Sequence, residues 1–154
     1  MIRIATLSDL SVIQDLNHDL FINDNKFYND LELQWPSTPA GESYFNKCLT
    51  DADNYVVYVY EKDQQIAGYL CGRICQKHAA YKGLRAEIDN MYVTEACRSA
   101  GIGSQLIQSF KNWAREKNVN ILVVTSFAAN TKAAAFYSKN GFEPYSLTQW
   151  QKIS

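Results

Sequence analysis

Arg98-Ser-Ala-Gly101-Ile-Gly103-Ser104 joins a strand-like run, Glu87 to Val93, to an amphipathic stretch. Glycines at 101 and 103 let successive backbone N–H groups turn toward one point with no Cβ in the way. The helix that follows adds the positive end of its dipole. Such a loop holds an anion, and a pyrophosphate suits it. The spacing is neither G-x-x-x-x-G-K-[ST], since no Lys precedes a Ser or Thr here, nor G-x-G-x-x-G, since Ser104 to Ile107 supply no third glycine. Just upstream, Glu87 and Asp89 stand two apart on one expected strand and so share a face. Paired carboxylates raise one of their pKa values toward the range of a general base.

The loop matches R-x-x-G-x-G, and a second segment fits the same source. Asn130, Ala133, Phe136, Tyr137, Gly141 and Phe142 fill every fixed position of N-x-x-A-x-x-F-Y-x-x-x-G-F. Together, in this order, they resemble the acyl-CoA loop and the later signature of the GNAT superfamily of N-acetyltransferases. The resemblance runs from about Tyr55 to Phe142, and the first fifty residues carry no motif of that family.

The resemblance implies an acetyl-CoA co-substrate, no metal, and direct transfer of the acetyl group to an amine within a ternary complex. Acyl transfer from a thioester needs a neutral amine, a donor to the developing oxyanion and a proton for the departing thiolate. Arg98 is then expected to pair with a phosphate while the N–H groups of Ser99, Ala100, Gly101, Ile102, Gly103 and Ser104 wrap the pyrophosphate. In the family the strand before the loop splays from its parallel neighbour and its backbone N–H groups hold the pantetheine arm. By position these belong to Met91, Tyr92 and Val93; the side chains of Met91 and Val93 are expected in the core.

Tyr137 matches the phenol that protonates the thiolate, and Asn130 matches the residue that bonds the pantetheine; Asn130 also reads as a helix cap. Relatives resembling histone acetyltransferases place a glutamate base where this chain has Glu87. Those resembling polyamine acetyltransferases place an acid where it has Asp89. Either carboxylate, or a water relay, takes the amine's proton. Two departures stand at the loop's approach: Ser99 replaces a common glycine, and Glu95-Ala-Cys97 replaces a proline-acid-aromatic run. Cys97 has no partner His in range, so covalent catalysis is not expected.

These residues need elements to position them. Ile2 to Ala5 reads as a strand, and a helix capped by Thr6 or Ser8 carries Leu10, Ile13, Leu16 and Leu20. Asn23 to Ala40 is a connection, followed by a helix from Glu42 to Leu49. Tyr55 to Tyr60 and Ile66 to Gly72 form a hairpin, with Gly68 marking a bulge or a close approach. A strand from Leu84 to Thr94 precedes a helix whose buried face holds Ile102, Leu106, Phe110, Trp113 and Ala114. Val119 to Ser126 is a strand parallel to it, Thr131 to Lys139 a helix, and Phe142 to Lys152 a last strand broken by Pro144. The fold expected is α/β (α+β mixed): a central twisted mixed sheet of about six to seven strands with helices on both faces, in one domain spanning 1–154.

Hydrophobic residues at 47% and charged residues at 20% describe an ordinary globular chain. No leader-like or membrane-length apolar run is present, so the expected address is the cytoplasm, with no membrane or nucleic-acid partner. Cys48, Cys71, Cys75 and Cys97 lack C-x-x-C spacing and read as reduced, mostly buried residues. The net charge of −1 conceals an asymmetry: residues 1–53 hold nine acids and three bases, or −6, which leaves +5 for the rest. A basic part suits an anionic co-substrate and an acidic part attracts a cationic amine. The acceptor expected is a small cationic amine, with Phe27, Tyr28, Glu32 and Trp35 as its lining. A protein lysine or N-terminal acetyltransferase and a non-catalytic acyl-CoA-binding module are the alternatives. The aromatics Phe142, Tyr145 and Trp150 serve either the core or a homodimer contact.

Overall fold

A computed structural model describes residues 1–154. In chain order the elements are β1 (Ile2–Ile4), α1 (Leu10–Asp24), α2 (Pro39–Thr50), β2 (Tyr55–Lys62), β3 (Gln65–Ile74), β4 (Arg85–Val93), α3 (Ile102–Glu116), β5 (Ile121–Val124) and α4 (Thr131–Lys139). Single 3₁₀ turns stand at Leu7–Asp9, Trp35–Ser37 and Glu95–Cys97. The strands form one sheet in the order β1-β2-β3-β4-β5. All neighbours are antiparallel except β4 and β5, which are parallel and joined through α3.

Alternation along β2 and β3 sorts their side chains to two faces. Val56 and Leu70 join Ile102, Leu106, Ile107, Phe110 and Trp113 under α3. Val57, Val59, Tyr69 and Cys71 join Ile13, Leu16 and Phe45 under α1 and α2. The expected bulge appears beside Gly68, where the β2–β3 register skips Ala67. No helix is long and apolar enough to cross a membrane.

The sheet has five strands, fewer than the six to seven expected. The strand expected over Phe142 to Lys152 does not form: the amide of Phe142 bonds back to the Tyr137 carbonyl, and no backbone hydrogen bond follows it. Gly141 turns the chain out of α4 with a φ of +87°, and Pro144 removes an N–H that a ladder beside β5 would need. The tail leaves Tyr145, Leu147, Trp150 and Ile153 exposed. Two other boundaries moved for local reasons. Thr38 caps α2 by accepting from the Gly41 amide, so the helix begins at Pro39, whose missing N–H costs nothing at a first helical position. Asn118 adopts a left-handed φ of +57° and the Val119 amide bonds to the Ala114 carbonyl, which assigns Val119 to the end of α3 and not to β5.

Candidate active site

β5 pairs with β4 only as far as Ile88, opposite Val124. From Asp89 to Val93, β4 has β3 on one side and no strand on the other. At that point the β3–β4 register steps from Gly72–Ile88 to Cys71–Asn90, so Asp89 is the extra residue of a bulge. A bulge bends its strand and turns two consecutive side chains the same way. Here both Asp89 and Asn90 reach the Tyr44 hydroxyl, which donates to Asp89 Oδ2 at 3.0 Å and accepts from Asn90 Nδ2 at 2.9 Å. The divergence opens a cleft of about 960 Å³ walled by the end of β4, the start of α3, α4 and the end of α1.

The loop enters this cleft at the N-terminus of α3. None of the six N–H groups from Ser99 to Ser104 meets an acceptor in the protein; the first inward bond is from the Gln105 amide to the Gly101 carbonyl, at 3.1 Å. The two glycines serve different ends. Gly101 has a φ of +76°, and a Cβ there would enter open space. A Cβ on Gly103 would stand 2.8 Å from the Phe136 ring, so Gly103 lets α4 approach α3. Ser99 also holds a positive φ, +65°, where an L side chain costs about 1–2 kcal/mol. Ser99→Gly is therefore expected to stabilise the protein by about 0.5–1 kcal/mol after the extra chain entropy of glycine, a rise of roughly 1–4 °C in Tm by calorimetry. Arg98 folds back: its Nε donates to the Val93 carbonyl at 2.9 Å and its guanidinium lies 5.1 Å from the Tyr92 ring centroid.

On α4, Asn130 caps the helix, its Oδ1 accepting from the Ala133 amide at 3.1 Å. Tyr137 packs edge-on to Phe136 and Phe142, at 5.3 and 5.7 Å between centroids. Burial pushes its hydroxyl pKa up to about 12, with the charge of Asp24 adding to the effect. The phenol therefore stays neutral throughout the physiological range.

The expected carboxylate pair is occupied. Arg73 on β3, the direct cross-strand partner of Glu87, donates through Nη2 to Glu87 Oε2 and through Nε to Asp89 Oδ1, both at 2.6 Å. Burial raises the pKa of Glu87, the Asp89 charge adds to it, and Arg73 opposes it. Asp89 lines the cleft and Glu87 does not.

Met91, Tyr92, Val93, Arg98, Ser99, Gly101, Ile102, Gly103, Ser104, Asn130 and Tyr137 all line the cleft; Ala100 does not. Met91 and Val93 pack toward the α3 face and Tyr92 toward the α1 face. Of the residues expected around the acceptor, Phe27 lines the cleft, while Trp35 packs instead among Phe21, Tyr44 and Phe45. Glu32 accepts from the Gln34 amide outside the cleft. Tyr28 stacks on Phe127, a cleft residue, and meets Trp150 of the tail. The sequence reading missed Asp24, which also lines the cleft, and Arg73, whose place beside the acids follows only from the β3–β4 register.

Solved structures share this fold. A mutant of the BH1408 protein from Bacillus halodurans superposes with a TM-score of 0.88 at 19% identity, over 100% of this chain and 99% of that one. Aminoglycoside antibiotic 6'-N-acetyltransferase AAC(6')-Ih from Acinetobacter baumannii gives a TM-score of 0.75 at 18% identity, over 100% of this chain and 97% of that one. AAC(6')-Iy in complex with the bisubstrate analog CoA-S-monomethyl-acetylneamine gives 0.74 at 15% identity, over 100% and 98%. At such identities the likeness is one of fold. No curated protein sequence matches the chain. The model of the Acetyltransferase (GNAT) family matches residues 22–142, and the chain belongs to that family.

Proposed function

We propose that this protein transfers an acetyl group from acetyl-CoA to a primary amine of a small cationic molecule, by direct attack with both substrates bound. One observation carries the reading: of the six residues with unpaired amides at the start of α3, all but Ala100 line a single cleft together with Tyr137. The amides of Ser99 to Ser104 fit a diphosphate, because converging N–H groups and a helix N-terminus are what an anion of that kind requires. The Arg98 guanidinium, held beside the loop, adds charge to the same end. Acetyl-CoA supplies the activated acyl group.

Alternation along β4 turns the Tyr92 N–H toward β3, like that of Thr94, which bonds to the Ala67 carbonyl, so the Met91 and Val93 N–H groups, freed on the β5 side, polarise the acyl carbonyl. Asn130 keeps its Nδ2 for the pantetheine arm while its Oδ1 caps α4. The neutral Tyr137 hydroxyl, which makes no hydrogen bond within the protein, holds a proton for the departing sulfur. Asp89 receives the amine's proton directly or through water, and Arg73 with Glu87 fixes its orientation. None of these roles needs a metal.

The printed names of the aminoglycoside acetyltransferases with this fold support an amine acceptor. The family match supports acetyl-CoA as donor. Four free cysteines suit a reducing compartment such as the cytoplasm. We take the 154 residues as one catalytic domain. The exposed apolar tail supports a homodimer, for which light scattering is expected to give twice the 17.5 kDa chain mass; the single-chain mass at micromolar concentration would refute it. Acetyl-CoA mixed with a panel of primary amines, and with protein lysines, tests the activity through release of free thiol. Turnover with small cationic amines is the result expected. Saturable CoA binding with no turnover for any acceptor would make the protein a binding module instead.

A further inference from the structure

We propose that Asp24, the last residue of α1, is the carboxylate that pairs with the acceptor's ammonium group. This rests on the acetyltransferase reading and deepens it. Asp24 lines the same cleft as Asp89 and Tyr137, and it enters from the end of α1, an element separate from the α3 loop and α4. It is half-buried. No Lys, Arg or His lies within ion-pairing distance; its polar companion is the Asn23 side chain. Asp89 and Glu87, by contrast, share the Arg73 guanidinium, so each carboxylate there has a cationic partner within the protein. Asp24 is therefore the uncompensated carboxylate of the cleft.

Its position is unfavourable in two ways that a structural role would avoid. Burial without a counter-ion disfavours the charged form and raises its pKa. It also stands at the C-terminus of α1, the negative end of the helix dipole, with no basic residue in the last turn. A cation supplied from outside removes both penalties. Asp24 and Tyr137 line one cleft, and the Asp24 charge adds to the rise in the Tyr137 pKa. Asn90, a cleft residue, leaves its Oδ1 buried with no hydrogen-bond partner, an acceptor open to an N–H from the bound amine. Lys26 is the basic residue beside Asp24 on the cleft, and it is exposed.

Spermidine titrated calorimetrically into the CoA-saturated protein tests the pairing, with Asp24→Asn and Asp24→Glu alongside. Asp24→Asn is expected to weaken spermidine about tenfold or more, the loss of one charge-assisted pair. Asp24→Glu should stay within about threefold of wild type. All three proteins should show the same CoA-induced rise in Tm. Without ligand, Asp24→Asn should melt about 1–3 °C higher, because it removes a charge from the wrong end of a helix. Equal spermidine affinity in wild type and Asp24→Asn overturns the inference, as does absence of spermidine binding to wild type while CoA still raises Tm. If CoA raises Tm in none of them, the acetyltransferase reading itself fails.

Discussion

Tyr137→Phe is expected to lower kcat by ~10²–10⁴-fold, the usual worth of a positioned general acid, while leaving CoA affinity within about threefold. The substitution deletes a single oxygen. Packing against Phe136 and Phe142 is kept, and the hydroxyl has no protein partner to orphan, so Tm should not fall. A fall confined to kcat marks an interaction made in the transition state. The elevated pKa adds a second signature. With the phenol neutral up to about pH 12, wild type should keep its Tyr137-dependent rate through pH 9–10, and any alkaline loss there must be shared by the Phe variant. Unchanged kcat in Tyr137→Phe would remove the phenol from the chemistry. Steady-state kinetics over that pH range reads both effects.

Gly101→Val should weaken CoA binding by up to about 30-fold, with Gly101→Asn close to wild type. The reason is conformational and not steric, because a Cβ at 101 meets nothing nearer than Gln105 Nε2 at 4.0 Å. The φ of +76° costs an L residue about 1–2 kcal/mol and a β-branched one the upper end or more, whereas Asn tolerates that region. A valine loop relaxes to negative φ and disperses the six amides, and binding must supply that energy again; 2 kcal/mol is about 30-fold in Kd. Calorimetric titration of CoA into both variants measures it. Equal weakening by Asn and Val would point to side-chain bulk and against the backbone explanation.

How legible this site was depends on how local each part is. The α3 loop and the α4 signature are runs of adjacent residues with fixed backbone demands, and most of their residues lie on the cleft, Ala100, Gly141 and Phe142 excepted. Ser99 at the position of a common glycine was visible as a departure, and the structure makes it a strained left-handed residue. Arg73 was illegible because it meets Glu87 and Asp89 only through the β3–β4 register and the bulge at Asp89, which no local pattern encodes. Asp24 looked like any acid in an acidic segment; its distinction is burial without a cation.

Trp35 misled for the opposite reason. An aromatic in a polar connection suggested a ligand wall, yet it caps the α1–α2 core between Phe21 and Phe45. The tail misled through composition. Its alternating aromatics read as strand, but Pro144 and the turn at Gly141 withhold the backbone from β5. Among boundaries, Pro39 fell within the expected connection of Asn23 to Ala40, whereas Thr38 before it makes it a first helical residue.

The grip of the Ser99–Ser104 amides on coenzyme A is the claim on which the remaining roles depend. Amide chemical shifts of the ¹⁵N-labelled protein, followed during a CoA titration, test it residue by residue. Saturable shifts largest at Ser99 to Ser104, with smaller ones at Met91 to Val93 and Asn130, are the predicted result. Shifts centred away from the start of α3, or none at millimolar CoA, would contradict it.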